Sequence, residues 1–193
     1  MEYMKTMPDK YVNLAICDPP YGLPKDSTHG RGKLKNRILN CGELEQWDKQ
    51  PSPEYFEELR RVSVNQIIWG GNYFDLPPTR GVICWDKCQP WKNFSQWEMA
   101  WTSFSKPAAL FRFDNRTTDK IHPTQKPVKL YGWLLKNYAK QGDKILDTHV
   151  GSASSLIACH NYGFDYIGFE IDQDYFEAAQ ARLDAVKAQV SMF

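Results

Sequence analysis

A chain of 193 residues with 42% hydrophobic and 24% charged residues has the size of one compact domain and excludes a disordered, collagenous or multidomain protein. Its formal net charge of +1 denies it the overall basic character that would by itself suggest a nucleic-acid partner. No apolar run is long enough to span a bilayer, and the polar start with Glu2 and Asp9 is no secretory leader, so no membrane association and a cytoplasmic location are expected.

In chain order, the apolar run Tyr11 to Cys17 reads as a buried strand stopped by Asp18-Pro19-Pro20, which neither a helix nor a central strand could continue through. From Gly22 to Asn40 the chain carries Lys25, Arg31, Lys33, Lys35 and Arg37 against the single acid Asp26, which makes a basic loop. A helix is predicted over Pro53 to Val62, with proline at its start, and a strand over Gln66 to Trp69. Three short β-leaning runs follow between Gly81 and Phe113, then a helix over Pro127 to Ala139 closed by Gly142. The last third alternates: strand Lys144 to Asp147, small-residue loop, helix Ser154 to Tyr162, strand Tyr166 to Glu170, helix Tyr175 to Val190. Alternation of this kind predicts an α/β fold with a mostly parallel sheet. The cysteines Cys17, Cys41, Cys84, Cys88 and Cys159 are odd in number and lack a C-x-x-C, so reduced thiols and no metal site are expected.

Two segments carry chemistry. Asp18-Pro19-Pro20-Tyr21 ends a strand, where open α/β sheets place ligands. Two prolines remove two N–H donors, leaving carbonyl oxygens and a carboxylate as pure acceptors beside an aromatic ring. Such a group suits an amine on a base: accepting its protons lets the nitrogen pyramidalise and aim its lone pair outward, while Tyr21 stacks on the ring. A turn with a capping aspartate is the alternative. The second segment runs from Asp147 to Ser154, where Gly151, Ser152 and Ala153 permit close backbone approach to a nucleotide-like ligand. Glu170, ending the next strand, is placed to accept from ribose hydroxyls. An ordinary βαβ turn is the alternative. The loop lacks both G-x-G-x-x-G and G-K-[ST], which disfavours pyrophosphate or triphosphate.

These two segments, with His122-Pro123-Thr124-Gln125-Lys126-Pro127 between them and Ile67 to Phe74 (IIWGGNYF) upstream, resemble the S-adenosylmethionine-dependent DNA amino-methyltransferases of the β class. The likeness is strongest to their small phage and prophage members, enzymes of DNA methylation and restriction-modification, and spans nearly the whole chain. It implies a Rossmann-like methyltransferase fold in permuted motif order, a single catalytic domain over residues 1–193, and S-adenosylmethionine as cofactor. It further implies that Asp18 and the Pro19 carbonyl accept from the target amine, with Pro20 completing the rigid turn and Tyr21 stacking on a flipped base. Asp18 would also face the cofactor. Asp147, Gly151 and Ser152 would line its methionine portion, Glu170 its ribose, and His122, Lys126 and His149 the pocket wall, with Lys126 the best local cation for the cofactor's carboxylate. Packing or turn roles stay open for both histidines, and a solvated lysine at a helix start for Lys126.

DPPY in this family usually accompanies adenine N6 and SPPY cytosine N4, so adenine in DNA is the expected substrate. Cytosine N4, an RNA amine, or an inactive DNA-binding remnant are the alternatives. The basic loop Lys25 to Arg37 and the stretch Arg112, Arg116 and Lys120 would contact phosphates, unless they are simply solvated. Residues 22–47 and 85–119 are candidate recognition segments, short enough that a homodimer could complete them, and Trp47, Trp91 and Trp97 are core or stacking residues. The chain departs from the family pattern at Thr148 and His149, where many relatives have Pro and Phe, and at Ala153, which replaces a frequent glycine. An N-terminal strand that helps hold the cofactor's adenine in relatives is also expected to be lacking.

Overall fold

Burial of every residue but Asn13 in Val12–Cys17 (β1) is what a strand flanked on both edges and covered on both faces requires. The computed structural model describes residues 1–22, 49–90, 95–114, 121 and 125–190. A short helix, Glu2–Thr6 (α1), precedes β1 and was not expected from the sequence. It is tied down from a distance, because the Arg61 guanidinium donates to the Met4 and Met7 carbonyls at 2.8 Å each. Pro53–Val62 (α2) starts on its proline, buries Tyr55, Phe56, Leu59 and Val62, and passes without a loop into Ser63–Trp69 (β2). This strand begins three residues before the predicted Gln66. Its polar start is buried because Ser63 Oγ donates to the Leu59 carbonyl, while Gln66 Nε2 donates to Ser63 O and Oγ at 3.1 and 2.9 Å.

After a one-turn 3-10 helix at Gly71–Tyr73 come Val82–Asp86 (β3), Trp97–Thr102 (β4) and Ala109–Arg112 (β5). The C-terminal third then supplies Val128–Tyr138 (α3), Lys144–Asp147 (β6), Ser154–Asn161 (α4), Asp165–Gly168 (β7) and Gln173–Val190 (α5), close to the predicted spans. The seven strands form one sheet in the order β5-β3-β4-β2-β1-β6-β7. All pairings are parallel except those of β4, which runs against both β2 and β3. One apolar layer packs Leu14, Ile16, Trp69 and Trp85 against Leu130, Leu134 and Leu135 of α3. The other packs Ala15, Cys17 and Ile68 against Phe56, Leu59 and Val62 of α2. The sheet is therefore covered on both faces, a Rossmann-like α/β arrangement. Among the described residues no helix is long and apolar enough to cross a membrane.

This topology collects chemistry at one edge. The parallel strands β1, β2, β6 and β7 end there, and the reversed β4 begins there with Trp97 and Glu98. Gly71, at the end of β2, sits so close to β4 that a Cβ would lie 2.4 Å from Trp101 Cβ and 2.9 Å from its backbone nitrogen. Gly71→Ala should therefore cost about 1–3 kcal/mol through overpacking against a neighbour that cannot move away. Urea denaturation should show a lower midpoint at unchanged slope; an unaltered midpoint would mean the turn relaxes freely.

Candidate active site

Asp18 follows the last residue of β1, and its two carboxylate oxygens have separate donors: Tyr21 Oη donates to Oδ1 at 2.8 Å and Lys126 Nζ donates to Oδ2. Since Pro19 and Pro20 offer no N–H, lone pairs remain on both oxygens for a further donor. Tyr21 is held as tightly. Its ring stacks on Tyr73 at 4.9 Å and meets Phe74 edge-on at 6.1 Å. It also lies over Gly70, where a Cβ would fall 2.1 Å from Tyr21 Cε1 and the backbone is left-handed (φ +69°). Only glycine suits that position. One aromatic face of Tyr21 is thus covered by Tyr73, which is itself 41% exposed. Burial, then the Asp18 charge, push the Tyr21 phenol well above its ordinary range, so it remains a neutral donor.

Lys126 is 4% exposed, which excludes the solvated lysine considered from sequence. Its ammonium binds Asp18, lies 3.0 Å from Glu98 Oε2 and faces the Trp69 ring at 5.3 Å. Glu98 also pairs with Lys87 through its other oxygen. Burial alone would raise the Glu98 carboxyl, but Lys126 and Lys87 hold it at about 2. Lys126 shows the mirror image: desolvation would lower it, and Asp18 and Glu98 raise it above the usual lysine range. Sequence reasoning missed Glu98. The available signal was a lone acid inside an apolar run, between Trp97 and Trp101.

The second half of the site is built on carboxylates that hold the backbone of the small-residue loop. Asp147 is 2% exposed; its Oδ1 accepts from the His149 N–H at 3.0 Å and its Oδ2 from Ser155 Oγ. Burial raises its carboxyl to about 7, against the pull of those two hydrogen bonds, with the Asp18 and Glu170 charges adding to the rise. Glu170 Oε2 accepts from the Gly151 N–H at 2.8 Å, and Oε1 accepts from Ile171 and Asp172 at 2.9 and 3.1 Å. Beside it Ile171 is 92% exposed, an apolar side chain with its surface open. Arg182 of α5 donates to the Ser152 carbonyl at 2.5 Å and to Ser154 Oγ at 3.0 Å, and so fixes the loop from the other side. Ala153 occupies the left-handed region at φ 59°, a conformation that favours glycine. An open cleft lined by Val150, Leu156, Phe176 and Leu183 reaches Glu170. Its mix of apolar walls, backbone approach and a terminal carboxylate fits a nucleoside.

His149 does not line this cleft; its Nδ1 lies 2.9 Å from Thr148 Oγ1 and its ring is edge-on to Tyr55 at 5.5 Å. Thr148 in turn bonds Tyr55 Oη at 2.6 Å, which ties the loop to α2. Arg112 ends β5 at the same sheet edge, exposed, with Nε 3.1 Å from Asp86 Oδ2, and Trp97 is half exposed nearby on β4. His122, Lys25, Arg31, Lys33, Lys35, Arg37, Arg116, Lys120, Trp47, Trp91 and Cys41 lie outside the described residues.

Residues 90–181 match a family described as DNA methylase, of the N6 and N4 amino-methyltransferases. The type II methyltransferase M2.MboI of Moraxella bovis is 23% identical over 94% of this chain and 84% of its own length. Among solved structures, the PvuII DNA methyltransferase, described as cytosine-N4-specific, superposes with a TM-score of 0.63 at 13% identity, over 96% of this chain and 86% of that one. A protein of Thermus thermophilus described as a DNA modification methylase, solved with S-adenosyl-L-methionine, gives 0.58 at 18% identity, over 96% and 90%. At these identities the structures establish the shared fold, and the family match supports DNA methyltransferase function.

His149 makes a titration prediction that tests the placement of the loop. Burial, with the chain's amino terminus adding, lowers its imidazole from the ordinary 6.5 to about 4, so between those values the unfolded chain binds the extra proton. The histidine therefore destabilises the fold at low pH, and that cost disappears as pH rises. The stability of wild type minus that of His149→Gln should climb from about pH 4 to about pH 6.5, at no more than about 1.4 kcal/mol per pH unit, and then level off. A flat difference would place the ring in solvent.

Proposed function

We propose that this chain transfers a methyl group from S-adenosylmethionine to the exocyclic N6 of an adenine turned out of duplex DNA. The observation that carries the reading is the adjacency of the two half-sites. Ala15 pairs with Leu146, so Asp147 lies beside Ile16 on the neighbouring strand, two residues before Asp18. Strands stand about 4.8 Å apart, which puts the acceptor group and the small-residue loop within reach of one another at a single sheet edge. Asp18 and the Pro19 carbonyl accept the two amine protons and direct the nitrogen lone pair toward the loop. The cofactor, when bound, supplies an electrophilic methyl on a sulfonium; the C–S bond breaks as the N–C bond forms, leaving a thioether and an amine that sheds one proton.

The residues present fit that cofactor. The Asp147 to Ser152 loop faces the methionine portion, Glu170 takes a ribose hydroxyl on the Oε2 lone pair left free by Gly151, Ile171 and Asp172, and the exposed Ile171 packs on the adenine ring. Tyr21, with Tyr73 stacked behind it, presents an aromatic platform at the mouth of the acceptor group. Arg112 and the basic residues from Lys25 to Arg37 contact backbone phosphates. Adenine is favoured over cytosine by aspartate at the first position of the tetrapeptide.

The test is direct. Purified protein with labelled S-adenosylmethionine and mixed-sequence DNA should yield N6-methyladenine on nucleoside mass spectrometry. Asp18→Ala should lower the rate about 10²–10⁴-fold while binding the cofactor within about threefold of wild type. N4-methylcytosine as the product would reassign the base, and absence of methylation from folded protein would overturn the reading.

A further inference from the structure

The acceptor group is held by a chain of alternating charges that crosses four elements. Lys87, just past β3, pairs with Glu98 at the start of β4; Glu98 faces Lys126, ahead of α3; Lys126 donates to Asp18 at the end of β1. The inner members are well enclosed, with side-chain exposures of 3% for Lys126, 15% for Asp18 and 23% for Glu98. Lys126 donates to Asp18, lies 3.0 Å from Glu98 Oε2 and sits over the Trp69 ring at 5.3 Å. To take the cofactor's carboxylate, the ammonium would have to abandon one of two buried anions, and removing one partner from a buried pair is strongly unfavourable.

We infer that Lys126 and Glu98 are positioning residues for Asp18, and that Lys126 serves the acceptor carboxylate and not the cofactor. With one Asp18 oxygen fixed by Lys126 and the other by Tyr21, the carboxylate plane cannot rotate, and its remaining lone pairs point where the amine must lie. Glu98 acts through Lys126: it fixes the ammonium and balances its charge, so that Asp18 keeps its strength as an acceptor. The same oxygen, Glu98 Oε2, is buried and meets Lys126 as a charge contact and not an aligned hydrogen bond. That geometry suits a counter-ion role. The other groups acting on this cluster are Tyr131 of α3, Tyr73 after β2 and Asp147 of β6, none of which supplies a second cation.

This inference rests on the methyltransferase reading, and the closing experiment separates the two. Cofactor affinity by calorimetry and steady-state kinetics are measured for wild type, Lys126→Met, Glu98→Gln and the double variant, with thermal melts to confirm folding. Lys126→Met should leave the cofactor Kd within about threefold and lower kcat about a hundredfold. Glu98→Gln, nearly isosteric and therefore the variant that keeps the test usable if Lys126→Met does not fold, should lower kcat about tenfold with KM for cofactor and DNA unchanged. In the Lys126→Met background the Glu98 substitution should cost less than about twofold, since its effect passes through the ammonium. A Kd raised about tenfold or more in Lys126→Met would return that lysine to the cofactor. Glu98→Gln with wild-type kcat, or with full and additive loss in the double variant, would equally overturn the inference while leaving the function intact. A wild-type protein that neither binds the cofactor nor methylates DNA would overturn both.

Discussion

The buried ammonium of Lys126 between the carboxylates of Asp18 and Glu98 is the interaction on which the architecture of this edge depends. A lysine at this depth is tolerable only when paired on more than one side, and the pairing recruits the ends of β1 and β4 together with the segment ahead of α3. Those three elements are distant in sequence. The sheet order brings them together: β1 and β4 both flank β2, and the reversal of β4 points its first residues to the edge where β1 ends. Were β4 parallel to β2, Glu98 would sit at the opposite edge and the lysine would face a single anion.

The cofactor half follows a related logic with different chemistry. Here carboxylates are satisfied by backbone N–H groups and a serine hydroxyl, with no cation in contact among the described residues: Asp147 by His149 and Ser155, Glu170 by Gly151, Ile171 and Asp172. A buried carboxylate that lacks a counter-ion rises in pKa, as Asp147 does, whereas one clasped by two lysines falls, as Glu98 does. The two ends of the site thus hold their acids in opposite electrostatic states. Each group that shapes the site also holds the chain locally, so fold and site are not separable here.

Much of this was legible in the sequence because it rested on local rules. A proline pair must end a strand, so β1 and its terminal carboxylate could be placed from Asp18-Pro19-Pro20 alone; alternation of apolar runs with helical periodicity gave the last third nearly residue by residue. What was not legible depended on partners far along the chain. Residues 63–65 fell outside the predicted strand because the polarity of Ser63 is satisfied by Leu59 and Gln66 only once α2 abuts β2. Helix α1 exists through Arg61, far along the chain. Lys126 was read as a cation for the cofactor's carboxylate or a pocket wall, with a solvated lysine as the alternative; it is buried, and its neighbour Glu98 arrives by strand reversal, which no local pattern announces.

The distribution of charge also fits the proposed reaction on physical grounds. Methyl transfer from a sulfonium to a neutral amine carries a unit of positive charge from sulfur to nitrogen, so the environment should favour the cation more strongly where it ends than where it begins. At the starting end, Asp147 has a carboxyl raised to about 7 and its oxygens are committed to the loop. At the finishing end Asp18 keeps free lone pairs, and Glu98 offsets the lysine that would otherwise neutralise it. Removing the glutamate would leave two lysines, Lys87 and Lys126, against Asp18 alone, a net positive charge beside the acceptor. With it in place the four charges of the chain balance, in enclosed surroundings where such a difference is largest. Orienting the amine needs no such balance; Glu98 is needed so that the cation forming on nitrogen does not meet an unbalanced lysine, and this separates the ion chain from a merely architectural one.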